Sequence, residues 1–232
     1  MSWSRRKEFD EFLVEQNVVE FREKKVRLSS GRRSNIYINL RKLSDDVVTL
    51  DKTLEFMRCF VDETGIDVDF FVGVAEGATK LGLFLTYSKA KDRLQNVSDS
   101  EYSHILNAKK SYPLVMARGK EKKHGLGKDR HYLGMLGNYA AVIEDVLTTG
   151  DSLMKEVNNL RKAGVCVNHA LGLVDRLELR KDGFSVAEKL SWFPVAYYPM
   201  TDVKTLLPLA YEKLKPPKDL VKKVNLYYRK YR

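Results

Sequence analysis

One stretch constrains this chain more than any other: Val142-Ile143-Glu144-Asp145-Val146-Leu147-Thr148-Thr149-Gly150-Asp151-Ser152. It continues the apolar run 139–143 and leads into residues 152–163, where Leu153, Val157 and Leu160 share one helical face and Gly164 is the stop. A buried strand therefore delivers two adjacent acids to its carboxyl end. A loop of small hydroxyl residues then turns at Gly150 into a helix. Two tandem acids at the end of an apolar strand are costly unless something uses them.

Around that unit, short apolar strands over 70–74, 112–117, 139–143, 165–174 and 193–198 alternate with helices over 77–91, 152–163 and 203–214. Such alternation with short connections predicts an α/β fold: a mostly parallel, twisted sheet flanked by helices on both faces. Upstream, Phe9, Phe12, Leu13 and Gln16 place a surface helix over about 4–19. Residues 26–40 read as two short strands around a turn at Gly31, and Leu50, Leu54, Met57 and Val61 lie on one helix face.

The expected organisation is an N-terminal helix and small hood over 1–45, the α/β core over 46–212 and a basic tail over 213–232. Residues 92–111 form a polar insertion without a clear pattern. The tail carries eight Lys or Arg against one Asp. It reads as a solvated amphipathic helix, with contact to a partner or nucleic acid as the alternative.

Composition narrows the functional classes. With 232 residues, 44% of them hydrophobic, the chain can bury a core without staples. A net charge of +10 suits acidic partners: nucleic acid, a phosphorylated metabolite or a membrane surface. Two cysteines, Cys59 and Cys166, cannot build a disulfide framework or a zinc site, and His104, His131 and His169 lack ligand-like spacing. No protein-held metal is expected. No stretch approaches the roughly 18 apolar residues of a membrane span, and the start, Arg5-Arg6-Lys7-Glu8, lacks the apolar centre of a signal peptide. A reduced, cytoplasmic protein with no membrane contact is expected.

The loop after the acids offers backbone N–H groups at a helix start, where small side chains leave room for a phosphate. Glu144 and Asp145 suit sugar hydroxyls or a divalent cation carried by the ligand, so the loop reads as a binder of a phosphorylated sugar. No Gly-Lys-Ser/Thr follows the glycine, which excludes a nucleotide P-loop. The plainer alternative is a strand-turn-helix with Asp151 or Ser152 as N-cap.

The run resembles the phosphoribosyl-pyrophosphate signature of type I phosphoribosyltransferases. Four further segments, in order, resemble the orotate phosphoribosyltransferase group: Ser30-Gly31-Arg32-Arg33-Ser34-Asn35-Ile36-Tyr37-Ile38-Asn39, Gly73-Val74-Ala75-Glu76-Gly77-Ala78-Thr79, Arg118-Gly119-Lys120-Glu121-Lys122-Lys123-His124-Gly125-Leu126-Gly127 and Asp175-Arg176. The likeness runs from about residue 9 to 210.

That resemblance implies transfer of a phosphoribosyl group from phosphoribosyl pyrophosphate to orotate, with Mg²⁺ arriving on the diphosphate substrate. It implies that Glu144 and Asp145 hold the ribose hydroxyls and that the run from Val146 and Leu147 through Thr148, Thr149, Gly150, Asp151 and Ser152 cradles the 5′-phosphate. Glu76 and Gly77 belong to a diphosphate loop. Arg118, Lys122 and His124, with Asp145, are the implied catalytic set, the first three on a lid that closes over the diphosphate. Arg176 pairs with the orotate carboxylate, with a surface salt bridge to Asp175 or Glu178 as the alternative. Thr148, Tyr37 and Ile38 complete the base site. The lid is implied to act across a homodimer, and nucleic acid is not expected as a partner.

Four positions depart from the common pattern: Ser29, Glu76 and Gly119 stand where lysine is frequent, and Asn35 where proline is usual. They keep two rivals in view: a purine-salvage phosphoribosyltransferase on the same scaffold, and a non-catalytic phosphoribosyl-pyrophosphate sensor that binds nucleic acid through its tail.

Overall fold

A computed structural model of the chain describes residues 3–95, 97–107, 112–120 and 131–232. In chain order the elements are α1 (Arg6–Glu15), β1 (Val19–Arg27), β2 (Arg33–Ile38), a 3-10 turn (Leu40–Ser44), α2 (Val47–Thr64), β3 (Phe70–Gly73), α3 (Thr79–Leu94) and α4 (Asp99–Asn107). There follow β4 (Met116–Ala117), β5 (Tyr132–Leu133), β6 (Tyr139–Leu147), α5 (Asp151–Lys162), β7 (Cys166–Asp175), α6 (Val186–Ser191), β8 (Ala196–Asp202), α7 (Val203–Leu214) and α8 (Lys218–Tyr231).

The central sheet has the order β3-β6-β7-β8, every pair parallel. Side chains alternate between its two faces along β3 and the first half of β6. Ala141 and Ile143 of β6 and Phe71 of β3 enter one apolar cluster with α1, α2, α3, α7 and α8. Ala140 and Val142 of β6, with Phe70 and Val72 of β3, enter a second cluster with α5 and α6. Period-two burial on both faces is what a parallel sheet sandwiched by helices requires. The antiparallel β1-β2 hairpin packs against α8, and Gly31 takes the left-handed turn that the sequence assigns to it (φ 80°).

Helix limits follow from caps. Asp46 accepts from the Thr49 N–H at 3.0 Å to start α2, and Gly65 at φ 68° ends it. Ser185 and Glu188 form a reciprocal capping box on α6. Asp202 caps α7 through the Lys204 N–H at 2.8 Å. On β8, the outer edge of the sheet, Pro199 offers no N–H, and the indole of Trp3 donates to the Met200 carbonyl at 2.7 Å.

Several expectations need correction. The first helix stops at Glu15, because Asn17 adopts a left-handed conformation (φ 52°) and Val19 pairs with Ile38 in β1. Only Met116 and Ala117 of 112–117 are strand, and they pair antiparallel with Tyr132–Leu133 instead of joining the parallel sheet. The strand expected over 193–198 lies over Ala196–Asp202, since the Phe193 and Val195 amides turn back to the Leu190 carbonyl. Strand β6 runs on through both acids to Leu147, and α3 starts at Thr79. Within the insertion, α4 forms over Asp99–Asn107. Within 213–232 the amphipathic helix covers Lys218–Tyr231, Lys213 and Leu214 belong to α7, and Leu220, Val224, Tyr227 and Tyr228 are buried instead of solvated. Among the described residues no helix is long and apolar enough to cross a membrane.

Helix α3 lies so close over β3 that a Cβ on Gly82 would collide with the Gly73 amide. Gly82→Ala must therefore push the helix off the sheet. It is expected to lower stability by about 1–3 kcal/mol, read as a reduced urea midpoint with an unchanged slope.

Candidate functional site

The carboxyl ends of β3 and β6 meet the hairpin at a cavity of about 290 Å³. Its lining combines Arg27, Leu28 and Ser29 from β1 and the turn, residues 37–41, residues 74–77, Glu144, Asp145, Val146, Thr148, Ser152 and Arg176. Tyr37, Ile38, Glu76, Gly77, both acids, Val146, Thr148, Ser152 and Arg176 thus line one cavity. Crevices at the carboxyl ends of parallel strands are where α/β sheets bind ligands. A larger open groove of about 800 Å³ lies between β1 and the α7–α8 connection, but it is lined by Arg22, Lys24, Lys25, Lys42 and Lys215 and holds no residue of the strand-end loop.

Strand alternation separates the two acids. Glu144 has the parity of Val142 and lies toward α5, where the Leu153 amide gives partial relief. Burial, reinforced by Asp145 and then Asp151, pushes its carboxyl up to about 8. Its Oε2 is buried without a partner. Asp145 has the parity of Ile143. Burial raises its carboxyl too, against the Val146 amide at 2.9 Å and the charge of Arg41. Gly77 packs on this carboxylate so closely that any Cβ would overlap it. The preceding Ala75–Glu76 peptide is cis.

The loop into α5 is pinned from behind. Thr149 Oγ1 donates to Asp151 Oδ2 at 2.7 Å, Asp151 pairs with Arg180 at 2.8 Å, and Arg180 also donates to the Thr149 carbonyl. Gly150 turns at φ 67° with Val186 against it. Thr148 and Ser152 face the cavity, whereas Thr149, Gly150 and Asp151 are outside its lining. Leu147 is fully buried, and its carbonyl accepts from the Arg176 N–H at 2.9 Å.

Arg176 closes one side of the cavity, 1% exposed. Its Nε donates to Glu178 at 2.6 Å and Nη2 reaches Ser34 at 3.4 Å, while Nη1 is buried with no partner. The pairing with Glu178 is therefore real but buried, not a surface contact. Asp175 is outside the lining, accepting from Tyr197 at 3.0 Å and from the Leu177 amide at 2.6 Å.

Arg118 is half-buried, with its N–H on the His131 carbonyl at 2.8 Å. Gly119 lies beside Glu76: a Cβ there would stand 3.3 Å from Oε1. Lys122 and His124 lie outside the described residues. Sequence reasoning missed Arg27 and Arg41, which bring two cations to the lining, and Arg180, which steadies the loop. Arg41 follows the Tyr37–Asn39 segment by two residues and could have been found by extending it; nothing local marks Arg180.

No protein-family model matches the chain. An orotate phosphoribosyltransferase of Methanothermobacter thermautotrophicus is 34% identical over 181 residues, covering 77% of this chain and 84% of the relative. A crystal structure of orotate phosphoribosyltransferase from Aeropyrum pernix superposes with a TM-score of 0.60 at 26% identity, over 90% of this chain and 99% of that one. The same enzyme from Francisella tularensis shares the fold at a TM-score of 0.64 and 19% identity, over 97% and 98% of the two chains.

The raised Glu144 carboxyl has a thermodynamic consequence. The folded chain keeps a proton that the unfolded chain has lost, so stability falls as pH rises from 4.5 toward about 8. Glu144→Gln removes that dependence. In thermal melts without ligand it is expected to match the parent near pH 4.5 and to exceed it by about 2–6 °C above pH 8.

Proposed function

The chain belongs to the orotate phosphoribosyltransferase family, and we propose that the cavity at the ends of β3 and β6 is where its two substrates meet. The enzyme transfers the 5-phosphoribosyl group from phosphoribosyl pyrophosphate to orotate, giving orotidine 5′-phosphate and pyrophosphate for pyrimidine synthesis. One observation carries the placement: the paired acids with an orphaned Glu144 oxygen share a cavity with an arginine whose Nη1 has no partner.

In this reading Glu144 and Asp145 receive the ribose hydroxyls. A protonated Glu144 can donate to one oxygen, and an ionised Asp145 accepts from another. Thr148 and Ser152, with the amides of the loop, take the 5′-phosphate. Tyr37 and Ile38 flank the base, and Arg176 with Thr148 fixes its polar edge. The base carboxylate supplies what Nη1 lacks, a bond between charged groups in a dry site.

Departure of pyrophosphate builds positive charge on the ribose and negative charge on the leaving group. Cations already in place stabilise that separation best. Arg118, at the edge of the Glu76 loop, is one such group; Lys122 and His124 are assigned the same task. Closure over the site keeps water from the electron-poor sugar carbon.

Among the described residues no three His, Cys, Asp or Glu side chains gather as a metal site. The ionised Asp145 at the strand end would receive a divalent cation that arrives on the diphosphate. Mg²⁺ carried in this way supplies Lewis-acid neutralisation of the leaving oxygens. The free thiols of Cys59 and Cys166 agree with a cytoplasmic setting. A homodimer with the lid acting across its interface follows from the family resemblance.

The purified chain, given phosphoribosyl pyrophosphate, Mg²⁺ and a panel of bases, is expected to consume orotate and not adenine or hypoxanthine. Arg176→Gln is expected to lower kcat/KM for orotate by roughly 100-fold or more, the loss of a buried charged hydrogen bond, with the KM for phosphoribosyl pyrophosphate nearly unchanged. Turnover of a purine with no use of orotate would overturn the reading. Mixing Lys122→Ala chains with Asp145→Asn chains is expected to restore part of the activity. Inert mixtures, after subunit exchange is verified, would exclude shared sites.

A further inference from the structure

Building on the assignment of Arg176 to the base carboxylate, we propose that the C-terminal helix α8 belongs to the base site. Through Tyr227, Tyr228 and Glu178 it fixes the plane in which Arg176 presents its free edge, and so sets the preference for an acidic pyrimidine over a neutral one.

The geometry is that of a clamp. The Arg176 guanidinium carbon lies 5.6 Å from the ring centroids of both Tyr227 and Tyr228, and the two rings stand at 89° to each other. Aromatic faces attract a guanidinium without consuming its N–H donors. The ring faces therefore restrain the group, and Nη1 keeps its hydrogen-bonding capacity for another partner. Nε is engaged by Glu178 at 2.6 Å, Nη2 reaches Ser34 at 3.4 Å and the Tyr227 hydroxyl also bonds the guanidinium, while Nη1 remains unpartnered.

Glu178 is held just as tightly. Tyr227 Oη is 2.9 Å from each of its oxygens, and Arg32 Nη1 is 2.7 Å from Oε2. Arg32 in turn stacks on Tyr231 at 4.3 Å, and the Leu179 amide donates to the Tyr231 carbonyl at 2.7 Å. The carboxylate thus cannot rotate to follow Arg176, so Arg176 keeps one orientation. Two guanidiniums share a single carboxylate, so Glu178 alone does not neutralise Arg176 at the cavity wall. That charge would be expensive in a buried setting without an anionic ligand. A neutral base offers Nη1 no charged partner.

Tyr227→Phe is the informative variant, because it keeps the ring face and deletes the hydroxyl that bonds Glu178 and also reaches the Arg176 side chain. In steady-state assays on the full chain, it is expected to raise the KM for orotate roughly five- to thirtyfold, by loosening one bond of a charged network. The KM for phosphoribosyl pyrophosphate and kcat are expected to stay within about twofold, since that network lies away from the diphosphate end. Its preference for orotate over uracil, which lacks the carboxylate, is expected to fall by the same factor. A general loss of packing would instead move both KM values and kcat together.

If Tyr227→Phe fails to fold, Arg32→Met probes the same carboxylate from the hairpin side, with the same expectation. If Arg176→Gln impairs orotate use while Tyr227→Phe and Arg32→Met leave the orotate KM and the uracil discrimination unchanged, the helix has no positioning role and the inference is overturned. If Arg176→Gln itself leaves orotate kinetics untouched, the assignment of the base carboxylate fails, and this role of the helix falls with it.

Discussion

Glu144 and Asp145 leave water together at the carboxyl end of β6, and carboxylates resist that transfer unless something answers their charge. The surroundings answer it in parts. Strand geometry sends the two side chains to opposite faces. The Leu153 amide at the start of α5 serves one, and the Val146 amide and Arg41 serve the other. What is left over, a carboxyl raised to about 8 and an oxygen with no partner, is unmet bonding capacity. In the proposed reading, a sugar rich in hydroxyls supplies the missing bonds. Gly77, the Arg180 braces behind the loop and the hairpin above all serve to keep this pair held in place beside an accessible cavity.

Much of this was legible from the chain itself, because the signals were local. An apolar strand, two acids, a glycine turn and an amphipathic helix follow one another within 25 residues, and the structure places β6, the loop and α5 there. The hairpin around Gly31 and the face of α2 read equally well. What escaped depends on distant partners. Residues 112–117 look like a sheet strand by composition, but only two of them pair, and with Tyr132–Leu133. Arg180 and Arg41 carry no local mark of their position. The charged sequence of 213–232 shows its outer face plainly and conceals the inner one, since Leu220, Val224, Tyr227 and Tyr228 gain their meaning from the hairpin and Arg176.

The departures from the common family pattern have physical counterparts in the structure. Asn35 is buried and donates through Nδ2 to the Arg22 carbonyl at 2.9 Å and the Glu23 carbonyl at 3.0 Å, spanning the irregularity in β1 between Phe21 and Val26. A proline there could make neither bond. Glu76 and Gly119 depart together and touch: the small residue makes room for the acid. Ser29 remains on the cavity lining, and Arg27 and Arg41 supply cations nearby where a lysine is absent.

The treatment of β8 bears on how copies of this chain can associate. A sheet with an unpaired flank invites a foreign strand to extend it. Here the flank is spoiled from within, by a ring without an amide proton at Pro199 and by the Trp3 indole seated on the Met200 carbonyl. The β8 flank is therefore a poor template for a foreign strand, and contact on that side falls to side chains.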